Sequence, residues 1–222
     1  MRRKRSMRSK FDEQLKKIKQ DVVEMGGLAQ NMLHDSITAL KNQDIKLADK
    51  VYANKGKLMK FDQEIEHRCL QAISMYQPMA KDMRVIGASL KLITYLTRIG
   101  RYGKDNAKFV NEIANKPHVG RMVSIPHMNE IVESMITDAM NSYKDKKPVD
   151  IQSFIDRDDD VDSLRISIFR EYLTYMMEDN KNIERCMYYI MIARYLERCA
   201  DHACKLAEKI HYMLTGERIE IK

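Results

Sequence analysis

The chain has few of the residues that interrupt helices, with 4 prolines, 8 glycines and no tryptophan among 222 residues. No apolar run approaches the roughly 20 residues that a membrane span needs. The basic opening segment MRRKRSMRSK lacks the apolar stretch of a secretory signal. These absences argue against an integral membrane or secreted protein, and we expect a helical protein in the cytoplasm.

Motifs that carry the chemistry of several enzyme classes are also missing. The sequence has no phosphate-binding P-loop, no glycine-rich dinucleotide motif, no nucleophile elbow and no HExxH. Because nothing assembles a nucleophile, a base and an oxyanion hole, we predict a protein that is not an enzyme. The cysteines have no CxxC spacing, so we expect all four to be reduced and at or near the core: Cys69, Cys186, Cys199 and Cys204.

Positive charge is concentrated at the start of the chain. The formal net charge is +7, and six of the first ten residues are basic, whereas 33 basic and 32 acidic residues follow. We interpret residues 1–10 as a basic tail on a near-neutral body. Such a tail suits a disordered solubilising end, or contact with anionic lipid or nucleic acid. The neutral body argues against specific nucleic-acid binding, which stays an alternative.

Apolar residues recur at steps of three and four, which predicts amphipathic helices. Helices of this length joined by short turns pack as antiparallel bundles. We therefore predict an all-α protein with six helices in two repeated three-helix bundles, over residues 11–117 and 118–222. Gly26-Gly27 in the first helix predicts a kink or a close helix contact. The predicted helices cover about residues 11–40, 44–74, 79–114, 128–146, 149–178 and 182–215, with a linker at 117–126.

An internal repeat supports this division. The segment Tyr95-Leu96-Thr97-Arg98 returns as Tyr195-Leu196-Glu197-Arg198, at an offset of 100 residues. At an offset of 103, Asp35 matches Asp138 and Met25 matches Met128. Two stretches that repeat in the same order indicate duplication of one bundle.

The second copy carries two pairs of carboxylates. Asp158 and Asp162 are four residues apart on one helix, and Glu197 and Asp201 are four apart on the next. A turn near residue 179 sets the pairs at equal height on neighbouring antiparallel helices. Four converging carboxylates repel one another unless a cation is bound. Oxygen ligands favour a hard ion such as iron, Mn, Mg or Ca, with zinc as a further option.

The alternative for the same residues is a solvated acidic stripe, paired with nearby arginines. The candidates for those partners are Arg157, Arg194 and Arg198. In the first copy the equivalent positions hold two cations and no ligand set, so we expect no metal there. That degenerate site consists of Lys55, Met59, Thr97 and Arg101. Its basic pair suits an anion or an acidic partner surface, or simply a solvated face.

Two weaker constellations remain. Glu64-x-x-His67 and Glu208-x-x-His211 have the spacing of di-iron bundles, which leaves a di-iron carboxylate oxidase as an enzymatic alternative. Glu64 and His67 share a polar face, however, which favours a surface position. A zinc site at His202 beside Cys199 and Cys204 is disfavoured, because their spacings scatter the side chains around the helix.

The ordered motifs resemble the PhoU family of phosphate-uptake regulators. The first copy carries Gln77-Pro78-Met79-Ala80-Lys81-Asp82-Met83-Arg84, similar to the family's Q-P-x-A-x-D-L-R. The second carries Ala193-Arg194-Tyr195-Leu196-Glu197-Arg198-Cys199-Ala200-Asp201, and Leu214-Thr215-Gly216-Glu217 closes the chain similarly.

The resemblance implies two three-helix bundles, metal bound at E/D-xxx-D motifs, and a cytoplasmic role restraining phosphate uptake and signalling. It also implies two partners, the ATPase of the phosphate ABC transporter and, in many bacteria, a sensor histidine kinase. Carried onto this sequence, the metal motifs are Asp158/Asp162 and Glu197/Asp201, so we predict one metal site. We further expect a homo-oligomer, a dimer, that meets the membrane only through its partners.

Overall fold

A computed structural model describes the backbone of residues 2–221 and the side chains of residues 8–221. Within this part of the chain the regular structure is helical, without strands. The helices are α1 (Arg2–Asn42), α2 (Ile45–Ala53), α3 (Lys55–Tyr76), α4 (Ala80–Ile113), α5 (Ser124–Asp145), α6 (Ile151–Glu178) and α7 (Ile183–Thr215), with a 3-10 turn at Asn180–Asn182.

The helices form two bundles that share one long seam. In the first bundle α1, α3 and α4 pack on one another and the short α2 covers α1 and α4; in the second, α5, α6 and α7 pack together. Contacts of α4 with α7 and of α1 with α5 join the bundles. The predicted all-α architecture of two three-helix bundles is confirmed, with α2 and α3 in the place of one predicted helix.

The predicted second helix is interrupted at Asn54, which ends α2 and precedes α3. The N–H of Asn54 is directed at the carbonyls of Val51 and Tyr52, and its side chain makes no capping bond. Asn54 and the nearby Gly56 have low helix propensity, which accounts for a break that apolar spacing alone does not reveal.

Two other predicted helix starts were wrong. Helix α1 begins at Arg2 and not near residue 11, because the basic segment contains good helix formers and no glycine or proline. The side chains of residues 1–7 lie outside the described part, so a role for the basic tail stays a prediction. Helix α5 begins at Ser124, inside the predicted linker, because Pro126 is tolerated in a first turn where its missing N–H costs no helical bond.

Capping interactions fix the start of α6 and the end of α7, the two helices that carry the candidate site. Asp150 Oδ1 accepts a hydrogen bond from the Ser153 N–H at 3.2 Å and caps α6. Gly216 has a φ of 84°, and its N–H donates to the Tyr212 carbonyl at 2.9 Å to end α7.

Glycines allow the first helix to approach two others closely. A Cβ at Gly103 of α4 would lie 2.6 Å from the Met32 carbonyl oxygen, so the backbones of α1 and α4 are in direct contact. A Cβ at Gly26 would lie 2.7 Å from Met140 Cε on α5. The close contact predicted at Gly26-Gly27 is confirmed, and it joins the two bundles.

Aromatic rings fill the antiparallel seam between α4 and α7. Both helices contribute rings at seven-residue intervals, which places them on one face. The ring centroids are 5.8 Å apart for Tyr95 and His202, and 5.0 Å apart for Tyr102 and Tyr195. Phe109 and Tyr188 continue the ladder at 5.1 Å. Because residues 95 and 195 are repeat equivalents, as are 102 and 202, the seam relates the bundles by an approximate twofold.

Candidate functional site

The acidic patch, which we define as Asp158, Asp162, Glu197 and Asp201, lies along the contact between α6 and α7. Buried Phe154, Val161 and Ile168 hold α6 against the core, and the turn at residues 179–182 returns the chain along it. Asp158, Glu197 and Asp201 are half-buried, whereas Asp162 is exposed. The hairpin of α6 and α7 thus places the two carboxylate pairs side by side on neighbouring helices.

The carboxylates are close enough to affect one another's ionisation. Burial raises the pKa of Asp158 to about 6, and the negative charge of Asp201 adds to the increase. Asp162 contributes in the same direction, while a hydrogen bond with the Cys204 thiol opposes it. Burial also raises the pKa of Glu197, with Asp201 adding to the rise and Arg198 opposing it. The patch therefore holds more negative charge than its surroundings neutralise.

Two arginines border the patch. Arg198 Nη1 donates to Asp201 Oδ2 at 2.8 Å, and Arg198 Nε lies 3.5 Å from Glu197 Oε2. Arg165 Nε lies 3.9 Å from Glu197 Oε1. The Glu197 Oε2 atom is buried and accepts no hydrogen bond from the described residues. Glu197 is thus held by charge and not by a directed hydrogen bond.

The predicted arginine partners were only partly right. Arg198 pairs with the patch, but Arg157 pairs with Asp138 at 2.9 Å, because it faces α5 on the other edge of α6. Arg194 is exposed and forms no ion pair with residues 8–221. Arg165 and Cys204 were missed, although each lies three residues after a predicted ligand, Asp162 or Asp201, which is a helical neighbour spacing.

The residues fit a hard metal ion in chemical type but are not arranged as a complete coordination shell. Across residues 8–221 no three His, Cys, Asp or Glu side chains stand in metal-binding proximity. The carboxylates are the oxygen donors that hard ions prefer. The raised pKa of Asp158 marks a charge conflict that a bound cation would relieve.

The equivalent place in the first bundle has different contacts. Thr97 is buried and its hydroxyl donates to Asp62 Oδ1 at 3.0 Å. Asp62 and Thr97 are the repeat equivalents of Arg165 and Glu197, so a hydrogen bond replaces the ion pair between the same two helix positions. Lys55 and Arg101 are exposed and Met59 is half-buried, which leaves no carboxylate pair at the degenerate positions.

The weaker constellations lie apart from one another. Glu64 and His67 are exposed on α3, as predicted, with Lys60 Nζ 3.8 Å from Glu64. They cannot line a bundle core, which removes the basis for a di-iron oxidase. His202 stacks on Tyr95 in the α4–α7 seam, and Cys199 is buried. The prediction that all four cysteines are free and buried is confirmed.

The chain matches the PhoU domain twice, over residues 22–110 and 125–210. It belongs to the PhoU family. The PhoU homologue of Rhizobium meliloti (strain 1021), named as a phosphate-specific transport system accessory protein, is 37% identical over 209 residues, covering 94% of this chain and 88% of that protein. The homologue of the same name from Clostridium acetobutylicum is 30% identical, covering 95% and 97%.

Solved PhoU structures share the architecture. The crystal structure of PhoU from Pseudomonas aeruginosa aligns with a TM-score of 0.87 at 28% identity, covering 93% of this chain and 100% of that one. PhoU from Streptococcus pneumoniae aligns at 0.83, and its 21% identity supports the fold alone. The matched homologues are named as accessory proteins of phosphate-specific transport, and the PhoU family is a regulatory and not an enzymatic family, as predicted. Each helix within residues 2–221 is too short or too polar to span a lipid bilayer.

Proposed function

We propose that this PhoU protein regulates phosphate uptake and phosphate-responsive signalling as a cytoplasmic, non-catalytic adaptor. It docks on the ATPase of a phosphate ABC transporter and, where one is present, on a sensor histidine kinase, and it meets the membrane through these partners as a dimer. The observation that carries this proposal is the match of both bundles to a family whose relatives are named as accessory proteins of phosphate-specific transport.

The acidic patch is the proposed metal site, with Asp158, Asp162, Glu197 and Asp201 holding one hard ion. When bound, the ion supplies positive charge that cancels the mutual repulsion of the carboxylates. The ion would compete with Arg198, which pairs with Asp201 and Glu197, for the charge of these two carboxylates. Because the ligands come from both helices, α6 and α7 are fixed in relative position.

The proposed docking surface is the α6 stripe, which we define as Ile166, Phe169, Leu173 and Met177. Its members are 43%, 46%, 42% and 80% exposed, at helical steps of three and four. The equivalent positions on α3 hold Gln63, Glu66, Leu70 and Ser74, so the first bundle lacks three of the four apolar side chains. Exposed apolar side chains of this kind support a partner interface. The stripe begins one turn after Asp162, so fixing α6 would orient it.

Metal content tests the first part of the proposal. We expect elemental analysis of protein purified without chelators to give one ion per chain. We expect that ion to be lost from the double variant Asp158→Asn/Asp201→Asn. The control is Asp159→Asn/Asp160→Asn, which removes the same charge from exposed positions of the same helix turn. Equal metal content in all three proteins would reject the site.

Binding to the transporter ATPase tests the second part. Met177→Glu should weaken binding at least about tenfold, because it places a charge in an apolar interface. Ser74→Glu is the matched control, since it puts the same charge on the equivalent exposed position of the first bundle. Equal loss in both variants would show that the α6 stripe is not the docking surface.

A further inference from the structure

A groove beside the turn between α3 and α4 forms a second candidate site, where the first turns of α4 meet the last turns of α7. It lies at the opposite end of α7 from the turn at residues 179–182. The groove has a volume of about 680 Å³, within the range of small-molecule sites. It is bounded by the first turns of α4, the last turns of α7 and the segment after Gly216. None of the metal or docking residues proposed above lines it.

Three cations in the groove have no acidic partner within residues 8–221. Arg84, Lys91 and Arg218 line the groove, and none of them forms an ion pair with residues 8–221. The Arg84 Nε atom is buried and donates no hydrogen bond to any described group. Arg84 also closes the Gln77–Arg84 motif of the sequence, to which the proposed function gives no role.

The one carboxylate in the groove is already neutralised. Glu208 is only 5% exposed, and its Oε1 atom accepts hydrogen bonds from Lys205 Nζ at 2.7 Å and from the Ile221 N–H at 3.1 Å. Lys209 Nζ lies 3.7 Å from its other oxygen. Because Glu208 has these partners, it does not compensate Arg84, Lys91 or Arg218, and the groove is positive.

The groove also offers apolar and aromatic walls. Met83, Ala88, Ile219 and the ring of Tyr212 line it, and the Arg218 guanidinium carbon lies 5.7 Å from the centre of that ring. Gly87 lies among them, and a Cβ added there would meet no atom within 4 Å. A bare inorganic anion would leave these walls unused, whereas an organic body would cover them.

The Arg84 guanidinium lies beside the C-terminal end of α7. Its guanidinium carbon lies 3.7 Å from where a Cβ of Gly216 would be, at the C-terminal end of α7. A planar guanidinium can bind two phosphate oxygens at once through two parallel N–H donors.

We propose that this groove binds a small organic phosphate of nucleotide size, with its phosphates on Arg84, Lys91 and Arg218 and its apolar body along Met83, Gly87 and Tyr212. The proposal depends neither on the metal nor on the docking surface. It adds a small-molecule input to the adaptor, placed where the two bundles meet.

Calorimetric titration of the full chain in EDTA tests the proposal, with ATP, ADP and AMP as probes. We expect at least one of them to bind at one per chain. Inorganic phosphate and tripolyphosphate should bind at least about tenfold more weakly, because they cannot cover the apolar walls. Failure of all three nucleotides to bind, or equal binding of tripolyphosphate, would overturn the proposal.

Variants locate the binding. Gly87→Glu puts a carboxylate into open space in the groove and should weaken nucleotide binding at least about tenfold. Gly27→Glu is the matched control, because it adds the same charge at another helical glycine whose Cβ would meet nothing within 4 Å. Circular dichroism checks that each variant is folded. Unchanged binding in folded Gly87→Glu, or equal loss in Gly27→Glu, would contradict the assignment.

A second variant and a competitor complete the test. Arg218→Gln changes an exposed side chain and should weaken nucleotide binding even if Gly87→Glu does not fold, whereas Arg101→Gln on α4 outside the groove should not. An acidic peptide of ten glutamates is the competitor. Tighter binding of that peptide to the groove than of any nucleotide would overturn the small-molecule assignment in favour of a protein partner.

Discussion

Asp158 shows at the level of one residue how the acidic patch departs from an ordinary surface. Its carboxyl group is half-buried against α7, close to Asp201 and within reach of the Cys204 thiol, and its pKa is raised to about 6. An exposed aspartate with a nearby arginine would show the opposite shift. Ionisation of Asp158 therefore lowers the stability of the folded state.

The raised pKa of Asp158 predicts a pH-dependent effect of Asp158→Asn. The unfolded chain releases this proton near the ordinary aspartate pKa of 3.8, and the folded chain releases it at a pKa of about 6. The ionised group therefore destabilises the fold as pH rises through this range. In EDTA at pH 7.5 we expect Asp158→Asn to be more stable by about 1 kcal/mol, reduced from the full shift by solvent screening.

Urea unfolding of wild type and variant at several pH values measures this difference. It should disappear below about pH 4, where Asp158 is protonated in both states. Asp159→Asn, at an exposed neighbouring position, should show no comparable gain. A variant less stable than wild type at pH 7.5 would contradict the electrostatic reading of the patch.

At the level of the helices, two glycines of α4 distinguish the effect of helix packing from that of intrinsic helix propensity. Gly103 faces the α1 backbone at a distance that leaves no room for a methyl group, whereas Gly87 faces open space. Both substitutions to alanine add the same intrinsic helix propensity. Any difference between them therefore reports the contact of α4 with α1.

Gly103→Ala should destabilise the protein by about 2 kcal/mol, because the new methyl group forces α1 and α4 apart. Gly87→Ala should stabilise it by about 0.5–1 kcal/mol. Chemical denaturation of both variants gives the two values. If Gly103→Ala proved as stable as Gly87→Ala, the direct backbone contact would be wrong.

At this scale the sequence predicts much of the fold, because apolar periodicity determines which face of each long helix is buried. Leu92, Leu96 and Ile99 were predicted inward and are buried. Periodicity does not show where a helix breaks or starts when residues of high and low helix propensity are mixed. The break at Asn54 and the early start of α5 before Pro126 were missed for this reason. The number of residues to the turn near residue 179 predicts that Asp158 and Asp201 lie at the same level along the hairpin. It does not predict the rotamers that pair Asp201 with Arg198.

For the whole molecule, the duplicated bundles are joined mainly along one aromatic seam. The sequence shows the repeat but not that α4 and α7 meet, because both copies offer similar faces and the spacing of rings does not select a partner. The seam sets the acidic patch, the α6 stripe and the α4–α7 groove on one body. In the second bundle, α6 carries both members of one carboxylate pair and the α6 stripe.

Removal of Tyr102, one ring of the central pair, should destabilise both bundles. Tyr102→Ala should lower stability by about 3 kcal/mol, because it removes a large side chain that contacts Tyr195 and His202. Hydrogen exchange should then rise along α7 as well as along α4. An increase confined to the first bundle would show that the seam does not couple the two.

The proposed metal ion binds between α6 and α7 and not at the equivalent place in the first bundle. Paramagnetic broadening of backbone amide signals by substoichiometric Mn²⁺ tests this most directly, since broadening falls steeply with distance from the ion. We expect the signals of Asp158, Asp162, Glu197 and Asp201 to disappear first, while those of Lys55, Met59, Thr97 and Arg101 persist. Equal broadening at both sets, or broadening at the first bundle alone, would contradict it.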